Sequence, residues 1–309
     1  MPISYHVPTQ SSRRFVVTGA NSGTGEETAR RLALAGASVV LGVRSTDKGE
    51  SARARILRDA PDAEIEVRRI DLADLSSVRA FADGILADGR PLHVLVNNAG
   101  VMAPRRRLET ADGFELQFGT NFLGPFALTN LLLPLLLASE GSRIATMSSG
   151  TANWGRIRFD DLQSSRRYSP QGAYARSKLA DLLMARHLAA LAVERDWPLL
   201  STVAHPGYTR TNLQTAGANL TRSPAGQRPP RRRTLLPSQG VEAGAEPLLF
   251  AATSPEARQG SYYGPGGRLG LVGPTTVTPI PWTARSAELA ARLWAVASDL
   301  TGVTTPGAS

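Results

Sequence analysis

The stretch from residue 14 to 36 constrains the fold more than any other. Residues 14–18, Arg-Phe-Val-Val-Thr, form a short apolar run that reads as a strand. T-G-A-N-S-G-T-G follows at once, and residues 26–36 then carry a helical pattern. Strand, glycine loop and helix in that order are the context a phosphate-cradling loop needs. Gly19, Gly23 and Gly25 follow G-x-x-x-G-x-G spacing, with Asn21, Ser22 and Thr24 between them. Such spacing allows a tight turn and lets a pyrophosphate approach a helix N-terminus, where free N–H groups and the helix dipole favour anions. A glycine loop alone matches many chains by chance; its position between strand and helix makes it informative.

The rest of the chain continues the alternation. Strands are expected over 37–43, 65–70, 92–96, 143–147, 199–204 and 260–263, the last before a Gly/Pro-rich stretch. Helices are expected over 47–58, from about 74, over 114–138, from the segment around Tyr174, over 242–252 and over 285–300. This pattern predicts an α/β fold: a single-domain, Rossmann-type, doubly wound parallel sheet over residues 14–303, with helices on both faces. Residues 1–13 read as a loose arm. Residues 210–240 carry Pro, Arg, Gly and Thr without a clear period and read as a substrate lid, mobile when the site is empty, or as an exposed insertion.

Composition narrows the function classes. There is no Cys, and the four His lack metal-ligand spacing, so no thiolate or metal centre is expected. The most apolar run, 126–138, is too short to span a bilayer, and the N-terminus has no apolar signal core. A soluble, cytoplasmic protein without membrane or nucleic-acid partners is the expectation. The formal charge of +9 favours acidic ligands such as phosphates. Of 35 basic residues only Lys48 and Lys178 are lysines.

Lys178 lies four residues after Tyr174, one helical turn away on the same face. A phenol titrates near pH ~10, too high for efficient acid–base work at neutrality. An ammonium about 6 Å away, at an effective dielectric of about 20, favours the phenolate by roughly 3 kcal/mol. That lowers the titration by about two pH units. The pair is therefore a candidate proton donor to a carbonyl; the alternative is a half-buried aromatic beside a solvated Lys.

Other candidates fall at strand ends. Arg44 closes the second strand with no acid before Asp47, which suits a ribose 2′-phosphate, although a solvent-facing Arg reads equally from an Arg-rich chain. Asp71, followed by Leu72, can accept an adenine amino group or cap the next helix. Asn98, Ala99 and Gly100 form a small-residue turn that lets a cofactor pass. Asn121 sits among apolar residues, bonded locally to backbone or recruited into a polar network.

Taken together, T-G-A-N-S-G-T-G, Asp71-Leu72, N-N-A-G, Asn121, Ser149, Y-A-R-S-K and His205-Pro206-Gly207 resemble the short-chain dehydrogenase/reductase family, in that family's order. Within it the chain resembles the retinol dehydrogenase and WW-domain oxidoreductase-like branch. The resemblance implies Tyr174 as general acid and Lys178 as the group that tunes it and binds the nicotinamide ribose. It implies Ser149 holding the carbonyl and Asn121 positioning a relay water. Pro206, Gly207 and Thr209 would lie at the nicotinamide end. Thr24 departs from the usual Ile, Asp181 from a common Asn, and Phe122 and Pro125 from a common His. The N-terminal membrane segment of many retinol dehydrogenases is absent, so membrane residence and a retinoid substrate are not carried over.

The reading that follows is an NADP(H)-dependent oxidoreductase reducing a ketone or aldehyde, with a homo-oligomer common in the family. The rivals are a dinucleotide-sensing binding protein and a nucleotide-sugar epimerase or dehydratase of the extended branch. The extended branch has G-x-x-G-x-x-G loops, unlike this chain.

Overall fold

A computed structural model describes residues 4–211, 213 and 236–307. The expected lid therefore lies largely outside the described residues.

The chain runs β1 Arg14–Thr18, α1 Gly23–Leu34, β2 Ser38–Val43, α2 Thr46–Asp59, β3 Ile65–Arg69, α3 Leu75–Ala87 and β4 Val94–Asn97. The long helix α4, Leu116–Leu137, precedes β5 Ser142–Met147, α5 Pro170–Glu194 and β6 Leu199–Ala204. After the gap come α6 Val241–Thr253, β7 Tyr262–Pro265, β8 Thr275–Val277 and α7 Ala287–Thr301. The strands form one sheet in the order β3-β2-β1-β4-β5-β6-β7-β8. Outward winding from β1 in one direction and from β4 in the other leaves a crevice at the carboxyl ends of these two strands, where open α/β sheets bind ligands.

Strand periodicity explains the two cores. Val16, Val40, Leu95 and Ile144 point to one face, packed with α3, α4, α5 and α7. Phe15, Val17, Val39, Leu41 and Val96 point to the other, under α1, α2 and α6. Both faces are covered, so the strands read as continuous apolar runs.

Three expectations need correction. The sheet is not wholly parallel: β8 pairs antiparallel with β7, through Tyr263–Val277 and Pro265–Thr275. Three residues inside a Gly/Pro stretch carry too little period to read as a strand. Residues 4–13 are not loose. The Ser4 N–H donates to Glu246 Oε1 at 2.7 Å, the Tyr5 ring packs on Phe250 with centroids 5.2 Å apart, and the Gln10 N–H donates to the Ala35 carbonyl at 2.7 Å. Finally, α4 is long and apolar enough to cross a membrane by length and composition, unlike the run 126–138 alone, but 78% of it is buried inside the fold.

Helix α4 is also not uniformly wound. Gly119–Leu123 forms one wide π turn between two α segments. Such turns occur mostly singly and often at functional sites. This one carries Asn121.

Candidate active site

The crevice is a cleft of about 310 Å³ lined by Gly19, Asn21, Ser22, Gly23 and Thr24, by Arg44, Ser45 and Lys48, by Asp71 and Leu72, and by Asn98 to Val101. Gly19 has φ +68°, and a Cβ there would meet Ala99 Cα at 2.9 Å. The loop turns tightly because the end of β4 lies directly against it. Ser22 begins α1 without a side-chain cap, so the first-turn N–H groups are not satisfied by that hydroxyl. Gly25 is not on the cleft wall. It is buried beneath, where a Cβ would collide with Asn98 Nδ2 and the Gly19 carbonyl oxygen.

Asn98 locks this end together. Its Nδ2 donates to the Thr18 carbonyl at 2.9 Å, and its Oδ1 accepts from the Thr24 hydroxyl at 3.0 Å. Thr18 Oγ1 accepts from the Asn98 and Ala99 N–H groups at 3.0 and 3.1 Å. Thr24, a departure from the usual Ile, thus supplies a hydrogen bond that Ile could not. The two readings of Asp71 also separate. Asp74 caps α3, accepting from the Ser76 and Ser77 N–H groups at 2.9 and 3.3 Å, whereas Asp71 accepts from the Ala73 N–H at 3.0 Å and lines the cleft.

At the adenosine end the wall is cationic. Arg44 follows β2, and Lys48 from the first turn of α2 joins it. Sequence reasoning missed Ser45, Lys48, Thr120, Thr211 and Leu213 among the lining residues. Lys48 carried a usable signal, being one of two lysines and one turn beyond Arg44.

The other end of the site is buried. Asn121 is recruited into a network: its Oδ1 accepts from the Val101 N–H at 2.7 Å, and its Nδ2 donates to the Val101 carbonyl at 3.0 Å and to Ser177 Oγ at 2.8 Å. The Ser177 hydroxyl donates to the Tyr174 carbonyl at 2.9 Å, joining the π turn to α5. Ser149 leaves β5 and hydrogen-bonds to Tyr174 through its side chain. The Lys178 ammonium donates to the Met147 carbonyl at 2.9 Å and to Asp181 Oδ2 at 2.8 Å. A Cβ on Gly100 would lie 3.1 Å from Asn121 Oδ1 and 3.6 Å from Lys178 Nζ, so the cleft and this cluster meet at Gly100.

The expected net lowering of the Tyr174 titration is not found. Burial, with 6% of the residue exposed, holds the phenol above its ordinary range. Lys178 and the Ser149 hydrogen bond pull it down, and Asp181 pushes it up. Sequence spacing gave the Tyr–Lys distance but neither the burial nor the opposing charge. Burial likewise pushes Asp181 up to about 7, against the pull of Lys178. For Lys178 burial acts downward, but attraction to Asp181 and Tyr174 outweighs it and raises its pKa.

Pro206, Gly207 and Thr209 are not among the residues lining the cleft. The Thr209 hydroxyl donates to the Pro206 carbonyl at 2.5 Å, and Gly207, at φ +61°, packs against the Leu271 carbonyl. His205 is packed 5.0 Å from the Tyr262 ring, and burial brings its pKa down to about 4.

A glycine cradle, a Ser–Tyr–Lys cluster and an Asn beside the Lys thus converge on one sheet edge. A family model described as short chain dehydrogenase matches residues 13–219. The chain belongs to the short-chain dehydrogenase family. This short-chain dehydrogenase is 40% identical to human retinol dehydrogenase 12 over 292 residues, covering 93% of this chain and 86% of the relative. It is 41% identical to mouse polyprenol dehydrogenase over 302 residues, covering 96% and 86%. A solved structure of an uncharacterized protein from Mycobacterium paratuberculosis matches with a TM-score of 0.79 at 42% identity, covering 97% of each chain. One described as a short chain dehydrogenase from Escherichia coli CFT073, complexed with NADPH, matches with a TM-score of 0.55 at 26% identity, covering 70% of this chain and 85% of that one. The dehydrogenase is therefore an oxidoreductase of the retinol dehydrogenase-like branch, acting on an alcohol/carbonyl pair with a nicotinamide dinucleotide.

Proposed function

We propose that this enzyme is an NADP(H)-dependent reductase of ketones or aldehydes, with Tyr174 as its general acid. The observation that carries the cofactor preference is the pairing of Arg44 with Lys48 on the adenosine wall, where β2 ends without a carboxylate. Two cations suit a ribose 2′-phosphate and leave a free 2′-hydroxyl without its usual acceptor. The site also fits the rest of the dinucleotide. The turn at Gly19 and the uncapped start of α1 suit the pyrophosphate, and Asp71 and Leu72 suit the adenine.

When bound, NADPH supplies the hydride. The protein's residues supply alignment and the proton. Ser149 orients the substrate oxygen by hydrogen bonding, and the Tyr174 hydroxyl gives that oxygen its proton. Lys178 restores the phenol's charge balance and reaches the nicotinamide ribose past Gly100. Asn121, its amide engaged with Val101 and Ser177, holds the wall beside Lys178 and positions a relay water. Pro206, Gly207 and Thr209 close the nicotinamide end.

A second reading concerns substrate size. Relatives are named for retinol and polyprenol, both extended apolar alcohols. Trp154, at the end of the turn that Ser149 begins, is 76% exposed, an aromatic surface of the kind a long apolar chain would cover. NADPH and NADH oxidation should be followed against compact ketones and long polyene aldehydes. Turnover with NADPH at roughly tenfold or greater preference supports the reading. Turnover confined to NADH, or to none of these carbonyls, rejects it.

A further inference from the structure

Asp181 is the buried charge that the reaction described above does not use. Other buried acids have evident structural work. Glu115 accepts from the Gln117 and Phe118 N–H groups at 3.0 and 2.9 Å, and Glu246 holds Ser4. Asp181 caps nothing. Its Oδ2 accepts from Lys178, and its Oδ1 has no hydrogen-bond partner among the described residues. The two side chains are only 5% and 2% exposed. A buried ion pair is weak evidence for stability, because desolvation offsets most of the attraction. This one sits on the same face of α5 as Tyr174, at positions i, i+4 and i+7.

We propose that Asp181 is a positioning residue for proton transfer, fixing the Lys178 ammonium and offsetting its charge as Tyr174 feels it. With the carboxylate in place the phenol keeps its proton to higher pH, which suits a general acid in reduction. The phenolate needed for alcohol oxidation then forms only at more alkaline pH. This rests on the reaction proposed above.

The surrounding elements add no competing charge. Tyr174, Lys178 and Asp181 have one another as their charged partners. On the phenol side, β7 contributes Tyr262, which burial keeps protonated, and beyond β6 lies His205, which burial keeps neutral. From α4, Glu115 faces Arg176. Toward α7, Arg186 faces Arg285, His187 packs on Trp294, and Arg292 lies over Phe159.

The test is Asp181→Asn, which keeps the shape and one acceptor for Lys178 while removing the charge. Seven residues of helix place Asp181 roughly 10 Å from Tyr174. At an effective dielectric of about 20, that charge is worth about one pH unit. The alkaline limb of reductive kcat/KM should therefore move about one unit toward acid, and the acid limb of alcohol oxidation should move with it. A second readout needs no turnover: phenolate absorbance of the NADPH complex, with Tyr174→Phe subtracting the other five tyrosines. Tyr174 should ionise at lower pH in the variant. Unmoved ionisation overturns the inference even if activity falls. Absent carbonyl reduction with a shifted ionisation would sink the proposed reaction and leave this inference standing. Asp181→Ser provides a second uncharged side chain should the Asn variant fail to fold.

Discussion

At the adenosine end of the cleft, Arg44 stands exposed after β2, and the loop from Gly19 to Thr24 lines the wall beside it. At the opposite end, Tyr174, Lys178 and Asp181 are buried in contact with one another and with β5. The first end recognises charge with groups that remain solvated, so each contact is worth what a surface interaction is worth. The second works in a dry environment where each charge acts on its neighbours and none can be changed alone. One end is a binding surface whose parts are nearly independent; the other is a coupled proton-transfer unit.

The contrast predicts where substitutions act. Tyr174→Phe keeps the ring and removes the proton donor, so kcat should fall by about 10² or more. Cofactor affinity, measured by NADPH fluorescence titration, should barely change; near-normal turnover would place the proton donor elsewhere. Arg44→Ala should weaken NADPH by roughly ten- to a hundredfold, the worth of a charge-assisted hydrogen bond, and leave NADH almost untouched. Equal kcat/KM values for the two coenzymes before and after the change would remove Arg44 from the 2′-phosphate site. Gly25→Ala sets a methyl against Asn98 and the Gly19 carbonyl, and overpacking of this kind costs about 1–3 kcal/mol. The expected outcome is a loss of several degrees in Tm with kcat preserved. An unchanged Tm would show that the loop can shift to make room.

The independent end was the more legible in the sequence. Its glycines, Arg44 and Asp71 are placed by local spacing and strand ends, and the fold delivers them to the cleft as that spacing implies. Lys48 was within reach of the same argument. The coupled end was half legible. The four-residue interval placed Tyr174 beside Lys178, but Asp181, three residues further on, reads in sequence as half of an ordinary solvated ion pair. Only the packing of α5 against β5 and β6 shows that all three are buried. That burial reverses the net direction in which the Tyr174 phenol is shifted. Strand β8 was hidden because Thr275–Val277 is shorter than any period it could display.

The π turn at Gly119–Leu123 has a consequence for the length of the chain. A wide turn is equivalent to one inserted residue, and one residue is about 100° of helical rotation. The helix after the turn is therefore out of phase with the helix before it. Leu128, Leu132 and Leu136 enter the core only because of that offset. Closing the turn by deleting one residue would restore a uniform helix and swing this stripe away from the sheet, while pulling Asn121 off Val101. The segment can exchange side chains one at a time, but its residue count is fixed by the two partners it must face at once.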